Sequence, residues 1–206
     1  EQGLSQTTAT GNTFLGYEAG KTNVTGSSNT YVGRYAGKDC TGSENTLIGN
    51  YAGYSLTSGQ GAVVVGRNAL LYATTGGNNV AVGVDAMEQN TTGAGNTTVG
   101  NYALQDNTTG GSNTAIGYGA GHSNTTSSAS TYVGQYSGYY ATGAQNVAIG
   151  YNALKGASSG AAGGNNVAIG VDAGENITSG NNNVLIGWRA GQDGTTGSNR
   201  IIIGYD

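Results

Sequence analysis

The chain has 206 residues, of which 40 are Gly, none is Pro and only 9% are charged. Its net charge of −4 comes from 11 acidic and 7 basic residues spread thinly, so it has no basic stripe for nucleic acid. No apolar run approaches the roughly 20 residues of a membrane span, and the lone Cys40 has neither a disulfide partner nor a zinc pattern to join.

Taken in chain order, one phrase is written again and again. It stands as NTFLGYEAG at 12–20, NTLIGNYAG at 45–53, NTAIGYGAG at 113–121, QNVAIGYNAL at 145–154 and NNVAIGVDAG at 165–174. Each copy can be anchored on the Gly that closes its V/I/L-G pair. The anchors are Gly16, Gly33, Gly49, Gly66, Gly83, Gly100, Gly117, Gly134, Gly150, Gly170, Gly187 and Gly204. Successive anchors lie 16 or 17 residues apart except for one interval of 20, whose three extra residues are assigned to the Gly/Ala-rich bend at 161–163. A fixed period of this length marks a repeat architecture rather than a linker.

A short strand is predicted just before every anchor. One residue before it stand Leu15, Val32, Ile48, Val65, Val82, Val99, Ile116, Val133, Ile149, Ile169, Ile186 and Ile203, all aliphatic. Three before it stands Thr or Val, with Ile201 in the last copy. β-Branched residues two apart, closed by Gly, have strand spacing. The Gly frequency and the lack of a 3.6-residue pattern exclude helix. Three after each anchor stands Ala, replaced only by Ser137, and about ten after it stands Gly, with Ser127 the exception. Four before it stands Asn in nine copies of twelve, among them Asn12, Asn79 and Asn183.

Such a unit cannot fold alone, but stacked on its copies it forms one rung of an all-β parallel β-solenoid, or β-roll. The reading is a single repeat domain over 1–206, with twelve rungs of about 17 residues. At a rise of about 4.8 Å per rung, the rod is roughly 55 Å long. The Asn column is expected to form a ladder of side-chain amides, and the Gly columns to permit positive φ at the corners.

The aliphatic columns are expected to share one dry interior seam. The residues two before the anchors, from Phe14, Tyr31 and Leu47 to Leu185 and Ile202, then lie on the opposite strand face, where a free solenoid meets water. Only Thr98 there is clearly polar. The core of each rung is thin for the number of residues ordered. That second face is therefore expected to pack against other copies, most simply as a homotrimer around a threefold axis.

The NVAIG phrases at 146–150 and 166–170 resemble the head repeats of YadA-type trimeric autotransporter adhesins. The fuller unit NTFLGYEAGKTNVTGSS is similar to repeats in phage tail fibres and bacterial tail-fibre-like proteins, and SNRIIIGYD looks like the phrase that ends such arrays. The resemblance covers essentially the whole chain. It implies trimeric, left-handed parallel β-rolls projecting from a surface and used for attachment. The autotransporter repeat is shorter than the unit here, so the bend must differ, and no coiled-coil stalk or membrane anchor stands in this sequence.

Catalytic chemistry finds little footing. Asp85 and Asp172 both sit two after their anchors but five rungs apart, roughly 24 Å along the rod, too far for a carboxylate pair. Asp39, Asp106 and Asp193 read as turn formers in bends, and His122 as a solvated bend residue without a Ser or Cys partner. The Ca-binding nonapeptide is missing, so no metal and no cofactor is assigned. The Asn-x-Ser/Thr sequons at Asn23, Asn90, Asn96, Asn107, Asn124 and Asn176 would allow glycosylation on exposed bends.

Aromatics carry the better hint. The two positions after the anchors hold Tyr17, Tyr35, Tyr51, Tyr102, Tyr118, Tyr136, Tyr151, Trp188 and Tyr205. Tyr17, Tyr35, Tyr51, Tyr102, Tyr118, Tyr136, Tyr151 and Trp188 are the candidate ligand-binding residues, since Tyr and Trp on a rigid rod suit recognition and their faces suit sugar rings. Alternatively, the stacked rings cover the corner and seal seams between copies. Tyr54, Tyr72, Tyr139 and Tyr140, in less regular bends, could add to either role.

The leading function is a structural and adhesive fibre module, a tail-fibre or surface-adhesin shaft or head. It would act outside the cell, with its own copies and a surface glycan as partners, without nucleic acid or membrane insertion. The alternative is a self-assembling extracellular filament whose subunits stack end to end. An ice binder needs a sustained flat Thr array, and the TT pairs at 91–92, 108–109 and 125–126 are not sustained. An enzyme fits least.

Overall fold

The computed structural model describes residues 9–157, 162–194 and 196–205. The stretch before each anchor is a strand: β1 (Thr13–Leu15), β2 (Thr30–Val32), β3 (Thr46–Ile48), β4 (Val63–Val65), β5 (Val80–Val82), β6 (Thr97–Val99), β7 (Thr114–Ile116), β8 (Thr131–Val133), β9 (Val147–Ile149), β10 (Val167–Ile169), β11 (Val184–Ile186) and β12 (Ile201–Ile203). All twelve form one parallel sheet in chain order, and among the described residues there is no helix. Register is column on column: Val82 of β5 lies between Val65 of β4 and Val99 of β6.

Each strand ends where its anchor glycine turns the chain, at φ between 127° and 149°, a region that favours Gly. Rung-to-rung bonding continues past the strands. Tyr35 N–H donates to Tyr17 C=O at 2.8 Å, Gly37 N–H to Ala52 C=O at 2.9 Å and Ser55 N–H to Leu71 C=O at 3.1 Å. The Thr57, Thr74, Thr91 and Thr108 hydroxyls each donate to a carbonyl of the following rung at 2.9–3.0 Å. Every side of a rung is thus tied to its neighbour, which gives a β-solenoid.

The two strand faces are the reverse of the sequence expectation. Residues two before the anchors point inward: Tyr31, Leu47, Val64, Ala81, Ala115, Tyr132, Ala148 and Ala168 are fully buried. Thr98 is buried as well, its hydroxyl donating to Val80 C=O at 2.9 Å. The uniform aliphatic column points outward, with Val99 and Ile116 each 40% exposed, and no residue of it or of the Thr/Val column is buried. The seam expected inside the rod is a surface.

The physical reason is volume. Each interior is supplied from two sides, by the strand and by the turn that follows it. Where the strand sends in a small side chain, the position four after the anchor supplies a large one: Val64 with Leu70, Ala81 with Met87, Thr98 with Leu104 and Ala148 with Leu154, all buried. Where the strand sends in Tyr31, Leu47 or Tyr132, that position is Gly37, Gly53 or Gly138. A Cβ on Gly37 would stand 2.7 Å from the Tyr31 ring. Ala115 and Ala168 also face glycines, because the next rung's side chains use the space. A Cβ on Gly121 would meet Tyr132 at 2.6 Å, and one on Gly174 would meet Leu185 at 2.7 Å. Large side chains from one side are thus met by small ones from the other or from the next rung, and the interior stays closely packed.

Leu70, Met87, Leu104 and Leu154 accept a left-handed backbone, φ 47–53°, to reach the interior. That conformation costs on the order of 1–2 kcal/mol per residue, whereas truncating a buried Leu or Met costs about 2–5 kcal/mol. Packing wins.

The Asn column is buried from Asn29 to Asn183, broken at Ala62 and Ser130, and its amides bond mainly to backbone rather than to one another. Asn96 is typical: its Nδ2 donates to Gly110 C=O at 2.9 Å, and its Oδ1 accepts from Asn113 N–H at 2.9 Å. Asn29, Asn45, Asn113, Asn166 and Asn183 repeat both bonds one rung onward. Side-chain to side-chain bonds supplement these at Asn183 to Asn166, 3.0 Å, and at Asn96 to Asn79, 3.3 Å; a second column, seven after the anchors, adds Asn107 to Asn90 at 2.7 Å.

The second glycine column needs Gly for clearance, not for positive φ. A Cβ on Gly26 would lie 2.8 Å from Thr41 C=O oxygen and 2.9 Å from the Gly42 carbonyl carbon. Gly163 belongs to this column, since a Cβ on Gly143 would meet Gly164 N at 2.6 Å. The three extra residues of the long interval therefore precede Gly163 rather than including it. Residues 158–161, with Ala161 among them, lie outside the described residues.

Cys40 sits in this interior, fully buried, with the Tyr31 hydroxyl donating to its Sγ at 3.0 Å. Burial pushes the thiol up from its ordinary pKa, so both access and thiolate fraction are low. The native rod is expected to react with a disulfide reagent at pH 8 several orders of magnitude more slowly than the guanidinium-unfolded chain. Comparable rates for the two would show that rungs 2 and 3 do not close over the thiol.

Candidate functional site

The aromatic columns follow directly from the turn after each strand. Positions one and two after the anchors leave the sheet at its corner, and the second is left-handed, as at Tyr35, Tyr51, Tyr102 and Tyr136 with φ 58–62°. Rung stacking then brings rings of successive turns together.

The structure sorts the candidate residues into three groups. Tyr17, Tyr35 and Tyr51 form the first, with ring centroids 5.3 and 4.9 Å apart. Tyr102, Tyr118, Tyr136 and Tyr151 form the second, at successive distances of 5.4, 5.5 and 6.5 Å. Trp188 stands apart with Tyr205, 5.0 Å away, and the Arg189 guanidinium lies 4.9 Å over its ring. Between the first two groups the columns hold an ionic patch. Asp85 accepts from Arg67 Nη2 at 3.1 Å and from Asn68 Nδ2 at 3.0 Å.

Other residues complete the site from the columns five and six after the anchors. Tyr54 closes the first group, 5.4 Å from Tyr51, with Lys38 Nζ 5.0 Å over its ring and donating to its hydroxyl at 2.9 Å. Tyr139 closes the second, 5.5 Å from Tyr136 and 4.6 Å from Tyr140. His122 is not a solvated bend residue. It stacks on Tyr139 at 4.6 Å with an interplanar angle of 15°, and its Nδ1 lies 3.3 Å from Asp106. Burial holds its imidazole below the ordinary pKa, against the opposing pull of Asp106. The common offset from the anchors in the sequence is the signal that would have joined these residues to the tyrosine columns.

Three clefts result. One of about 280 Å³ is lined by Tyr136, Tyr139, Tyr140, Tyr151, Asn152 and Lys155. The next, about 220 Å³, is lined by Tyr102, Gln105, Tyr118, His122 and Tyr139, so Tyr139 is a wall shared by both. The third, about 340 Å³, lies near the first group, between Tyr51, Tyr54 and Tyr72. Ordinary ligand pockets begin near roughly 300 Å³, so at about 220–340 Å³ each cleft has room for no more than a small, ring-sized group.

The carboxylates offer no acid–base pair at these clefts. Asp172 faces Arg189 Nε at 3.8 Å and Asn152 Nδ2 at 3.2 Å, and Glu175 faces Lys155 at 3.4 Å. Five of the six sequon asparagines, Asn23, Asn90, Asn96, Asn107 and Asn124, are fully buried, which corrects the expectation that they stand on exposed bends. Asn176 is exposed.

The molecule belongs to the class of rigid parallel β-solenoids, with one aliphatic sheet face and aromatic flanks. No protein-family model, curated protein or solved structure matches the chain.

Proposed function

We propose that the chain is a structural and adhesive fibre module of the cell or virion exterior. Copies associate through the aliphatic sheet face, most simply three about a common axis, and the tyrosine flanks attach to a glycan or cell surface. The observation that carries this reading is the outward aliphatic column. It runs from Leu15 to Ile203 beside the Thr/Val column, and neither contains a charged residue. Columns two residues apart on a rod of this length present several hundred Å² of flat, largely apolar surface, more than a soluble monomer usually leaves open. The likeness of the repeat phrases to YadA-type heads and tail-fibre repeats supports the same reading. It carries no catalytic step, metal or cofactor.

Because these side chains point outward, charges placed there test association without touching the core. Wild type is expected to sediment as a trimer at tens of micromolar. The double variant Ile116→Asp/Ile149→Asp is expected to sediment as a monomer with an unchanged β-sheet circular dichroism spectrum. A wild-type monomer at that concentration would refute association through this face. Attachment is tested separately by binding of the labelled rod to glycan arrays and whole cells. Absence of binding to both would refute the adhesive part.

A further inference from the structure

We infer that the tyrosine groove of rungs 6 to 9 is a binding site for a neutral, extended, β-linked polysaccharide lying parallel to the rod axis. This rests on the adhesive reading above and names its ligand class and place. Four observations on the molecule lead to it.

The first is the spacing. Tyr102, Tyr118, Tyr136 and Tyr151 come from four successive rungs, with ring centroids 5.4, 5.5 and 6.5 Å apart. Rungs repeat at about 4.8 Å, close to the advance per sugar of an extended β-linked pyranose chain. One sugar per rung therefore stays in register over several rungs. A coiled, α-linked glucan would leave a straight groove after one or two sugars.

The second is ring orientation. Neighbouring rings meet edge to face, at 75°, 89° and 66°. Aromatic faces are thus not all spent on one another, and the clefts between them share Tyr139 as a common wall. A sugar ring presents axial C–H groups to an aromatic face and hydroxyls at its rim. The rims here carry Tyr hydroxyls with Gln105, Asn152 and His122, the mixture of apolar body and polar tip that such a ligand needs.

The third is charge. Lys155 is matched by Glu175 at 3.4 Å, and His122, 3.3 Å from Asp106, adds no fixed cation because burial favours its neutral form. The groove therefore offers no unmatched lysine or arginine to an anionic glycan. The fourth is placement. None of the lining residues belongs to the two outward sheet columns, so covering that face leaves the groove open.

The test is titration calorimetry of the wild-type rod with soluble linear β-1,4-linked oligosaccharides of increasing length, from two sugars to six. Affinity is expected to rise with each added sugar up to about four and then level off, as four rungs supply rings. Tyr118→Ala and Tyr139→Ala should each weaken the longest ligand about three- to tenfold, whereas Gln60→Ala, an exposed bend residue outside the aromatic clefts, should not. The length series needs no variant, so it decides the matter even if a substitution perturbs the fold. Equal affinity for all lengths, or no binding at millimolar ligand while the rod still attaches to array glycans or cells, would overturn this inference and leave the adhesive reading standing. Tighter binding of an anionic or α-linked glycan would overturn it likewise. Failure to attach to any glycan or cell would remove both.

Discussion

Gly83→Ala is expected to destabilise the rod by at least about 4 kcal/mol, at the severe end of single substitutions. An added Cβ would stand 2.5 Å from both the carbonyl carbon and oxygen of Gly100 and 2.9 Å from Asn101 N. All three atoms are backbone, so no side chain can swing aside. The φ of 141° adds strain of its own. Relief requires these two rungs to part, which breaks the ladder bonds between them from Gly100 N–H to Val82 C=O, 2.7 Å, and from Tyr102 N–H to Val84 C=O, 3.0 Å.

A matched control separates the two causes. Gly204 has nearly the same backbone, φ 127°, but a Cβ there meets nothing within 4 Å. Gly204→Ala should therefore cost only the conformational strain, about 1–3 kcal/mol. Because rungs interact with their neighbours alone, a break at Gly83 should also split unfolding into separate transitions for the two ends of the rod. Urea unfolding followed by circular dichroism reads both effects. Equal midpoints for the two variants would mean that clearance between rungs is not what the anchor column protects.

The period, strand positions and parallel stacking were legible in the sequence because one residue type per column leaves no ambiguity of register. Which strand face is inside was not. Uniform Leu, Val and Ile before the anchors suggest an interior, while the irregular column of Tyr31, Leu47, Ala81 and Thr98 suggests a surface. Physically the assignment runs the other way. An interior of fixed volume, filled from two sides, tolerates variation that is compensated, as in Ala81 with Met87 against Tyr31 with Gly37. An outward column is under no such pairwise constraint and can stay uniform. The compensation between positions two before and four after the anchors was present in the sequence, but single columns do not reveal it. The tyrosine corner was legible from the anchor offset. Tyr139 was named with it, but His122 and Lys155 were not: their shared offset of five after the anchors is in the sequence, yet it marks a site only once the turn is known to fold back onto the corner.

The Asn column sets up the second large effect, in which the chemistry of one atom decides the outcome. Asn96 is fully buried; its Nδ2 donates to Gly110 C=O at 2.9 Å and to Asn79 Oδ1 at 3.3 Å, and its Oδ1 accepts from Asn113 N–H at 2.9 Å. Asn96→Ala leaves both backbone groups without their partner and should cost about 2–3 kcal/mol at any pH. Asn96→Asp keeps an acceptor for Asn113 N–H but turns an oxygen toward the Gly110 carbonyl. Ionised, it is a buried charge facing a like dipole, so its folded-state pKa rises well above the ordinary carboxylate value of about 3.9. Protonated, its O–H can donate to Gly110 as the amide did. With a raised folded pKa the native state binds the extra proton, so stability is full below the unfolded pKa and falls as pH rises toward the folded one, by about 1.4 kcal/mol per unit. The Asp variant should therefore be nearly as stable as wild type at pH 3 and less stable than the Ala variant at pH 7. Urea midpoints for the three proteins at both pH values measure this. If Asp and Ala behaved alike at both, the amide donor to Gly110 would not be what holds successive rungs in register.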